Sequence, residues 1–149
     1  CLADAIGIAF ASRDYDFARK SLASLDVLGS QGSATILGQS GTVAVRDAAL
    51  MNGLLIHGLD YDDTHLASVV HCSASALPAT LALAESKGLG GQALLLATLT
   101  AIEIDALLGA QAGGVFQQVG FHPTGVVGVF GPGTVISKAA VGILEGMIS

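Results

Sequence analysis

Charged residues are nearly absent from the second half of the chain, and this limits the folds open to it. Residues 88–102 carry no charge, and residues 106–137 contain no Asp, Glu, Lys or Arg. Apolar residues recur at helical spacing among many alanines and 20 glycines, a composition typical of closely packed helices. The 149 residues are enough for one domain with its own core.

The periodicity predicts an all-α domain of about six helices. Residues 113–120 are interpreted as a loop, and residues 141–149 end the chain on an apolar helical pattern. Strand signals occur only at residues 34–37 and 42–45, which predict one short β-hairpin. The predicted helices cover residues 1–11, 14–28, 73–87, 92–109 as a long buried helix, and the glycine-rich segment after residues 122–124. A further helix begins at residue 45 or 46, runs through Leu55 and leads into the acidic cluster, and a looser connection follows at residues 62–70.

The totals argue against several classes of partner. A net charge of −6 leaves no basic surface for nucleic acid. The mean hydropathy of +0.68 raises the question of a membrane, but Glu103 and Asp105 stop the first uncharged run before it can span one. We therefore expect neither nucleic acid nor membrane as a partner. Cys1 and Cys72 form no disulfide framework, so we expect a reducing, cytoplasmic location.

Two polar segments stand out in this charge-poor chain. Residues 52–65, followed by residues 70–73, combine three carboxylates with imidazoles and a hydroxyl, and residues 120–125 contain a further imidazole. On a continuous helix, His57, Asp60 and Thr64 would share one face at i, i+3 and i+7, while the next two carboxylates would face elsewhere as caps or solvated groups. We interpret the two segments as halves of one site.

The histidines in these segments predict acid–base chemistry. His71 and His122 lie in apolar or uncharged surroundings, whereas His57 and His65 are open to a structural interpretation. An imidazole is the natural general acid or base near neutral pH. Beside Asp60, two imidazoles can remove a proton from carbon and deliver one to a leaving group.

Other interpretations of the same residues remain open. Residues 60–64 fit the D-x-D-x-T pattern of magnesium-dependent phosphatases, which requires the first Asp to end a buried parallel strand. A metal site is conceivable, but no zinc-binding spacing is present, and we expect no metal. The glycines at residues 109–114 and 125–133 do not fit a nucleotide-binding loop and are assigned to close helix packing. The conceivable metal ligands are Asp60, Asp62, His65 and His71.

The chain resembles the MmgE/PrpD family, which includes 2-methylcitrate dehydratase and cis-aconitate decarboxylase. The similarity covers most of the chain in the right order. The matching pieces are Asn52-Gly53, residues 57–65, His71 with Ser73, Pro78-Ala79, Ala84-Glu85, Glu103, Leu108-Gly109, residues 120–125, Gly128 and Gly131.

The resemblance implies a mainly helical domain, a separate lid domain, a homodimer and a small carboxylate substrate handled without metal or other cofactor. It assigns Asp60, Thr64, His71 and His122 to the lining of the site. We predict His71, His122 and Asp60 as catalytic residues. The predicted substrate-binding residues are Thr64, Asp63, His65 and Ser73.

The chain also departs from the family pattern. It reads His71-Cys72-Ser73 where many members read His-Pro, and it stops before the family's downstream lysine, tyrosine and lid. We therefore expect residues 1–149 to be a single helical domain from a longer two-domain protein, completed by a lid segment or a second chain. Only Arg46 and Lys138 stand near the polar segments by sequence as cations for a multiply charged substrate.

These observations give one principal hypothesis and its rivals. We expect a lyase that abstracts a proton next to a carboxylate in a small di- or tricarboxylate, with dehydration of the 2-methylcitrate type first. Decarboxylation or epimerisation by the same chemistry is the alternative within the family. A catalytically incomplete helical dimerisation fragment and the magnesium phosphatase are the alternatives outside it.

Overall fold

The structure is a computed structural model that describes the backbone of residues 1–148 and the side chains of residues 1–139. The apolar pattern noted at residues 141–149 lies outside the described side chains. Eight helices make up most of the described backbone, which confirms the all-α class; α6 and α7 are short additions to the predicted set. The helices are α1 (Leu2–Ser12), α2 (Asp16–Leu28), α3 (Val45–His57), α4 (Cys72–Lys87), α5 (Gly91–Gln111), α6 (Val115–Gln118), α7 (Pro123–Val127) and α8 (Phe130–Ile148).

Helices α3 and α4 form the centre of the fold. Leu55 and Ile56 are fully buried on α3, and each such side chain contributes about 1.5–3 kcal/mol through its burial. The two backbones approach closely at Gly53, where an added Cβ would lie 3.3 Å from the carbonyl oxygen of Ala74. That carbonyl is the one that Pro78, lacking an N–H, leaves without its usual helical donor.

The predicted hairpin is reduced to one antiparallel bridge between Ala34 and Val43. The strands expected at residues 34–37 and 42–45 are wrong, because the carbonyl of Ile36, next in line to pair, accepts the N–H of Gln39 in a turn at 3.0 Å. The groups that face away from the bridge bind side chains of α3 and α4 instead. Asn52 accepts the N–H of Leu37 at 2.8 Å and donates to the carbonyl of Thr35 at 2.9 Å. Glu85 accepts both the N–H and the hydroxyl of Thr35. These bonds fasten residues 29–44 to the helical centre without a sheet.

Helix α5 is long, as predicted, but it is not buried. Leucines cover its outer face, among them Leu96 at 68% and Leu99 at 62% exposure. Burial is confined to the face against α4 and α8, at Thr98, Ala101, Asp105 and Gly109. The prediction was wrong because apolar content does not tell which sides of a helix have neighbours.

By length and composition, α5 is also the one helix among the described residues that qualifies as a membrane-spanning candidate. Its mean hydropathy is 1.8 over the 18-residue window, of which 22% is buried in this structure. The helix runs through Glu103 and Asp105, which we expected to end the apolar run. Core helices of soluble proteins satisfy the same criteria, so this carries little weight as evidence for a membrane.

A buried carboxylate and a close backbone contact join α5 to α8. Asp105 accepts hydrogen bonds from the N–H of Gly131 at 2.8 Å and from the hydroxyl of Ser75 at 3.1 Å. Gly131 is required there because an added Cβ would lie 2.2 Å from the carbonyl oxygen of Ala101. Close packing is thus confirmed for the glycine at 131. At Gly113 and Gly114, by contrast, nothing lies near and the positive φ angles explain the glycines.

Candidate active site

The polar segment after α3 is a loop rather than a continuation of the helix. Helix α3 ends at His57, and the next residue, Gly58, closes it with a bond to the carbonyl of Leu54. Asp60 then has φ 57°, a left-handed conformation that Asp tolerates better than most residues and that no α-helix contains. The predicted helical face of His57, Asp60 and Thr64 is therefore wrong. Loop geometry brings these residues together instead.

Asp62 lies at the centre of this loop, with its side chain fully buried. Both of its carboxylate oxygens lie 3.1 Å from Nδ1 of His57, and one lies 3.2 Å from Nδ1 of His71. The helical pattern predicted Asp62 to face away from the site, as a cap or a solvated group, and that was wrong. For His57 it left a structural role open. Helical periodicity could not reveal this pair, because the contact depends on a non-helical turn.

The two polar segments meet through His71 and the residues around α7. The backbone N–H of His71 donates to the hydroxyl of Thr124 at 2.9 Å, across 53 residues of sequence. The ring of His122 stacks with that of His71 at a centroid distance of 6.1 Å and meets the ring of His57 edge-on at 5.4 Å. The rings of His57 and His71 are 4.8 Å apart. The structure thus brings the two segments together as predicted.

Asp60 and Thr64, both predicted site residues, border His71. An oxygen of Asp60 lies 3.6 Å from Nε2 of His71, and the Asp60 side chain is 76% exposed. The Thr64 hydroxyl lies 3.4 Å from Nδ1 of the same ring. Both groups are accessible from the open side of the cluster.

The remaining predicted substrate-binding residues are placed less favourably. Asp63 accepts the backbone N–H of Ser73 at 3.3 Å, which fixes the start of α4. The Ser73 hydroxyl is buried and has no partner among the described residues, so it is not presented to a substrate. His65 is exposed and contacts the hydroxyl of Ser68 at 2.8 Å rather than the imidazole cluster. The structure does not place Ser73 and His65 where a ligand of the cluster would touch them.

The electrostatics distinguish His57 from Cys72. The hydrogen bond that His57 donates to Asp62 raises the pKa of His57 above its ordinary value of 6.5, against the opposing effect of burial, and the charges of Asp62 and Asp60 raise it further. Burial, with smaller contributions from Asp63 and Asp105, raises the pKa of the Cys72 thiol to about 12. A thiol with that pKa is not a nucleophile near neutral pH.

An open groove of about 690 Å³ begins beside the imidazoles. His57 and Thr124 line the end nearest the cluster, and most of the remaining surface is apolar. Arg46 does not supply a cation here. It pairs with Asp47 at 2.8 Å at the other end of α3, about 16 Å along the axis from His57. The other lining residues are Ala49, Leu50, Gly53, Leu54, Gly58, Ala74, Ser75, Pro78, Ala79, Gly128, Val129, Pro132, Gly133 and Ile136.

Two alternative chemistries can be compared with this geometry. One atom from each of His57, Asp60, Asp62 and His71 lies within 4.8 Å of the others, close enough for one cation to meet all four. In this structure the two carboxylates already contact the two imidazoles directly, and these contacts need no ion. The phosphatase pattern fails here, because Asp60 follows a helix and not a buried strand.

Comparisons with known proteins agree with this architecture. A sequence model of the MmgE/PrpD N-terminal domain matches residues 1–147. The chain is similar to a cis-aconitate decarboxylase of Homo sapiens, with 39% identity over 99 residues covering 61% of this chain and 20% of the relative. It is similar to a cis-aconitate decarboxylase of Mus musculus, with 31% identity over 144 residues covering 91% and 29%. The chain therefore spans less than a third of the length of these relatives.

Proposed function

Because the chain belongs to the MmgE/PrpD family, we propose that it carries the acid–base groups of a lyase acting on a small di- or tricarboxylate. The observation that supports this most directly is the cluster of three imidazoles, with ring centroids 4.8 to 6.1 Å apart, of which two contact one buried carboxylate. Lyase activity is also the activity that the names of the two relatives describe.

His71 and His122 take the two proton-transfer roles in this proposal. Their stacked rings, with centroids 6.1 Å apart, leave each able to address a different atom of one small substrate. One imidazole acts as base on carbon and the other as acid on the departing group. Each such transfer is worth roughly 10²–10⁴ in rate. An oxygen of Asp60 lies 3.6 Å from Nε2 of His71 and orients the His71 ring when that ring is protonated. The exposed Thr64 hydroxyl binds a substrate carboxylate.

Decarboxylation of cis-aconitate is the first reaction to test, because both relatives carry that name. In that reaction the bond from carbon to one carboxylate breaks and carbon dioxide leaves. The electron pair shifts through the double bond, and an imidazolium delivers a proton to the far carbon. One acid is sufficient, and His122 or His71 can serve.

Dehydration of 2-methylcitrate is the second candidate, and the presence of two facing imidazoles favours it. One imidazole removes the proton from the carbon next to a carboxylate. The other protonates the hydroxyl on the neighbouring carbon, which leaves as water while the double bond forms. This reaction uses both rings in one turnover, as the stacked arrangement allows.

The whole protein's remaining properties are part of the proposal. We propose that a lid segment or second chain supplies the cations that bind the substrate's carboxylates, since Arg46 lies far from the cluster. We also propose a homodimer, a cytoplasmic location and an activity independent of metal. The intact mass of the purified protein, compared with the 14.8 kDa of this chain, tests whether a lid segment is present.

The experiment is proton NMR in D₂O with the folded chain and a panel of cis-aconitate, 2-methylcitrate, citrate and an aspartate-derived dicarboxylate. We expect loss of substrate C–H signals and new vinyl or shifted signals for one member, unchanged by excess EDTA. Loss of the reaction in EDTA would instead assign a cation to the cluster of His57, Asp60, Asp62 and His71.

The histidine ring signals provide a second readout that does not need turnover. Binding of the correct carboxylate should shift the ring signals of His71 and His122 and leave that of His65, which contacts Ser68, unmoved. A folded sample that neither turns over nor binds any panel member would contradict the proposed function.

A further inference from the structure

Asp62 is the one buried group of the cluster that the proposed reaction leaves without a role. We propose that Asp62 is a positioning residue that holds both His57 and His71 with the proton on Nδ1, so that His57 joins His71 in presenting Nε2 for proton transfer. The catalytic consequence rests on the proposed function. The positions of the protons do not, because they can be measured without any reaction.

The contact with His57 fixes the proton on that ring. Both oxygens of Asp62 lie 3.1 Å from Nδ1, and an ionised carboxylate can only accept hydrogen bonds. Nδ1 must therefore be the donor, and in the neutral ring Nε2 is left with the lone pair. Because the Asp62 side chain is fully buried, water cannot replace it as the acceptor.

Three oxygens surround Nδ1 of His71. One carboxylate oxygen of Asp62 lies at 3.2 Å, the Asp62 backbone carbonyl at 3.3 Å and the Thr64 hydroxyl at 3.4 Å. The first two can only accept, which again places the proton on Nδ1. The opposite nitrogen, Nε2, faces the exposed Asp60 at 3.6 Å, a carboxylate free to move when a substrate arrives.

The two carboxylates of the cluster therefore have different roles. Asp62 is fixed inside the protein and sets the orientation of two rings at once. Asp60 is exposed and lies on the reacting side. His57 also lines the groove, and its ring lies 4.8 Å from that of His71 and meets that of His122 edge-on at 5.4 Å, so it stands beside both predicted proton-transfer groups.

Nitrogen-15 NMR of the imidazole rings tests the proposal directly. Long-range proton–nitrogen spectra of the labelled chain, recorded at a pH where the rings are neutral, distinguish a protonated nitrogen from a bare one. The variants His57→Gln and His71→Gln assign the signals. We expect Nδ1–H for both rings, whereas unconstrained imidazoles favour Nε2–H. A wild-type protein with Nε2–H on these two rings would overturn the inference.

Two aspartate variants locate the cause. Asp62→Asn should shift His57 toward Nε2–H, because His57 bonds only the carboxylate. His71 should shift less, because the backbone carbonyl at residue 62, 3.3 Å from its Nδ1, remains as an acceptor. Asp63→Asn is the matched control, since Asp63 accepts only a backbone N–H at 3.3 Å and contacts neither ring. A folded Asp62→Asn protein with Nδ1–H still on His57 would show that the Asp62 carboxylate does not set that tautomer.

If Asp62→Asn does not fold, His57→Gln still tests whether Asp62 holds His71 on its own. The glutamine amide can still donate to Asp62, so the buried carboxylate keeps a partner, and His71 should retain its proton on Nδ1. A switch of His71 to Nε2–H in that variant would contradict the proposal.

Turnover separates this inference from the proposed function. Asp62→Asn should lower kcat by about 10²- to 10⁴-fold with a much smaller change in KM, as expected when an orienting carboxylate is lost. If the wild type turns over no substrate but shows the Nδ1–H tautomers, the proposed function fails and this inference stands. If it turns over with Nε2–H tautomers, the reverse holds.

Discussion

Asp62 and Asp105 are both buried carboxylates in a chain of which only 12% is charged, yet their partners differ. Asp105 accepts the backbone N–H of Gly131 and the hydroxyl of Ser75, groups that do not titrate near neutral pH. Asp62 contacts two imidazoles, which do. One carboxylate therefore ties helices together, and the other sets protons in a cluster. A buried charge is informative about function only together with the chemistry of its partners.

The largest expected effect lies in the imidazole cluster. His122→Gln should lower the turnover of the responsive substrate by at least about 10²-fold, because it removes one proton-transfer group. Helical content and the free energy of unfolding should stay near wild type, since His122 is exposed. Stopped assays and circular dichroism on the same sample check both parts. An unchanged rate would remove His122 from the mechanism.

Substitution of Asp105 should instead lower stability and leave activity unchanged. Asp105→Ala leaves a buried N–H and a hydroxyl without their acceptor, which should lower the free energy of unfolding by about 1–3 kcal/mol. Activity per folded molecule should be preserved. Urea unfolding measures the loss, and Glu103→Ala, at an exposed position of the same helix, is the control, with a change within about 0.5 kcal/mol. Equal losses in both variants would mean that the Asp105 bonds do not stabilise the fold.

The imidazole cluster and the Asp105 contacts should change the free energy of unfolding over pH ranges that begin at different values. The pKa of His57 is raised, so its stabilising contribution is complete below 6.5 and is lost as the pH rises through the folded pKa. Burial raises the pKa of Asp105, so stability is lost over a window that begins lower, as the pH rises from 3.8 through that folded pKa. Urea titrations of wild type, His57→Gln and Asp105→Asn across both windows measure this. The advantage of wild type over His57→Gln should fade only in the upper window; a constant difference would contradict the assignment.

The smallest effect concerns Cys72, because the charges of both Asp63 and Asp105 contribute to the raised pKa of its thiol. Its thiol is buried and has a pKa of about 12, so an alkylating reagent near neutral pH should label exposed Cys1 alone. Mass spectrometry should find one label on the native chain and two after unfolding. Rapid labelling of native Cys72 would show that the start of α4 opens readily.

The sequence was sufficient for the helices and for part of the cluster. Helical periodicity is local, so α1 and α4 fall within a residue or so of their predicted bounds. It was insufficient where structure depends on distant partners. The hairpin stops after one bridge because the carbonyl of Ile36 accepts the N–H of Gln39 in a turn. The predicted burial of α5 was wrong because composition does not identify which face of a helix is covered.

The candidate site divides in the same way. His71 and His122 could be selected because imidazoles in uncharged surroundings are unusual. Asp62 could not be ranked above its neighbours, because the left-handed turn at Asp60 decides which carboxylate points inward. No pattern of apolar residues reports that turn.

The two halves of the cluster also differ in how much chain each must organise. The contacts of Asp62 with His57 and His71 span only 5 and 9 residues, so closing them costs little chain entropy once α3 and α4 are paired. His122 reaches the cluster only when a segment 53 residues beyond His71 has docked through Thr124. We therefore expect the carboxylate and its two rings to assemble before the third ring joins them. The complete cluster exists only after that late docking, so a partly folded chain cannot carry out chemistry that needs both His71 and His122.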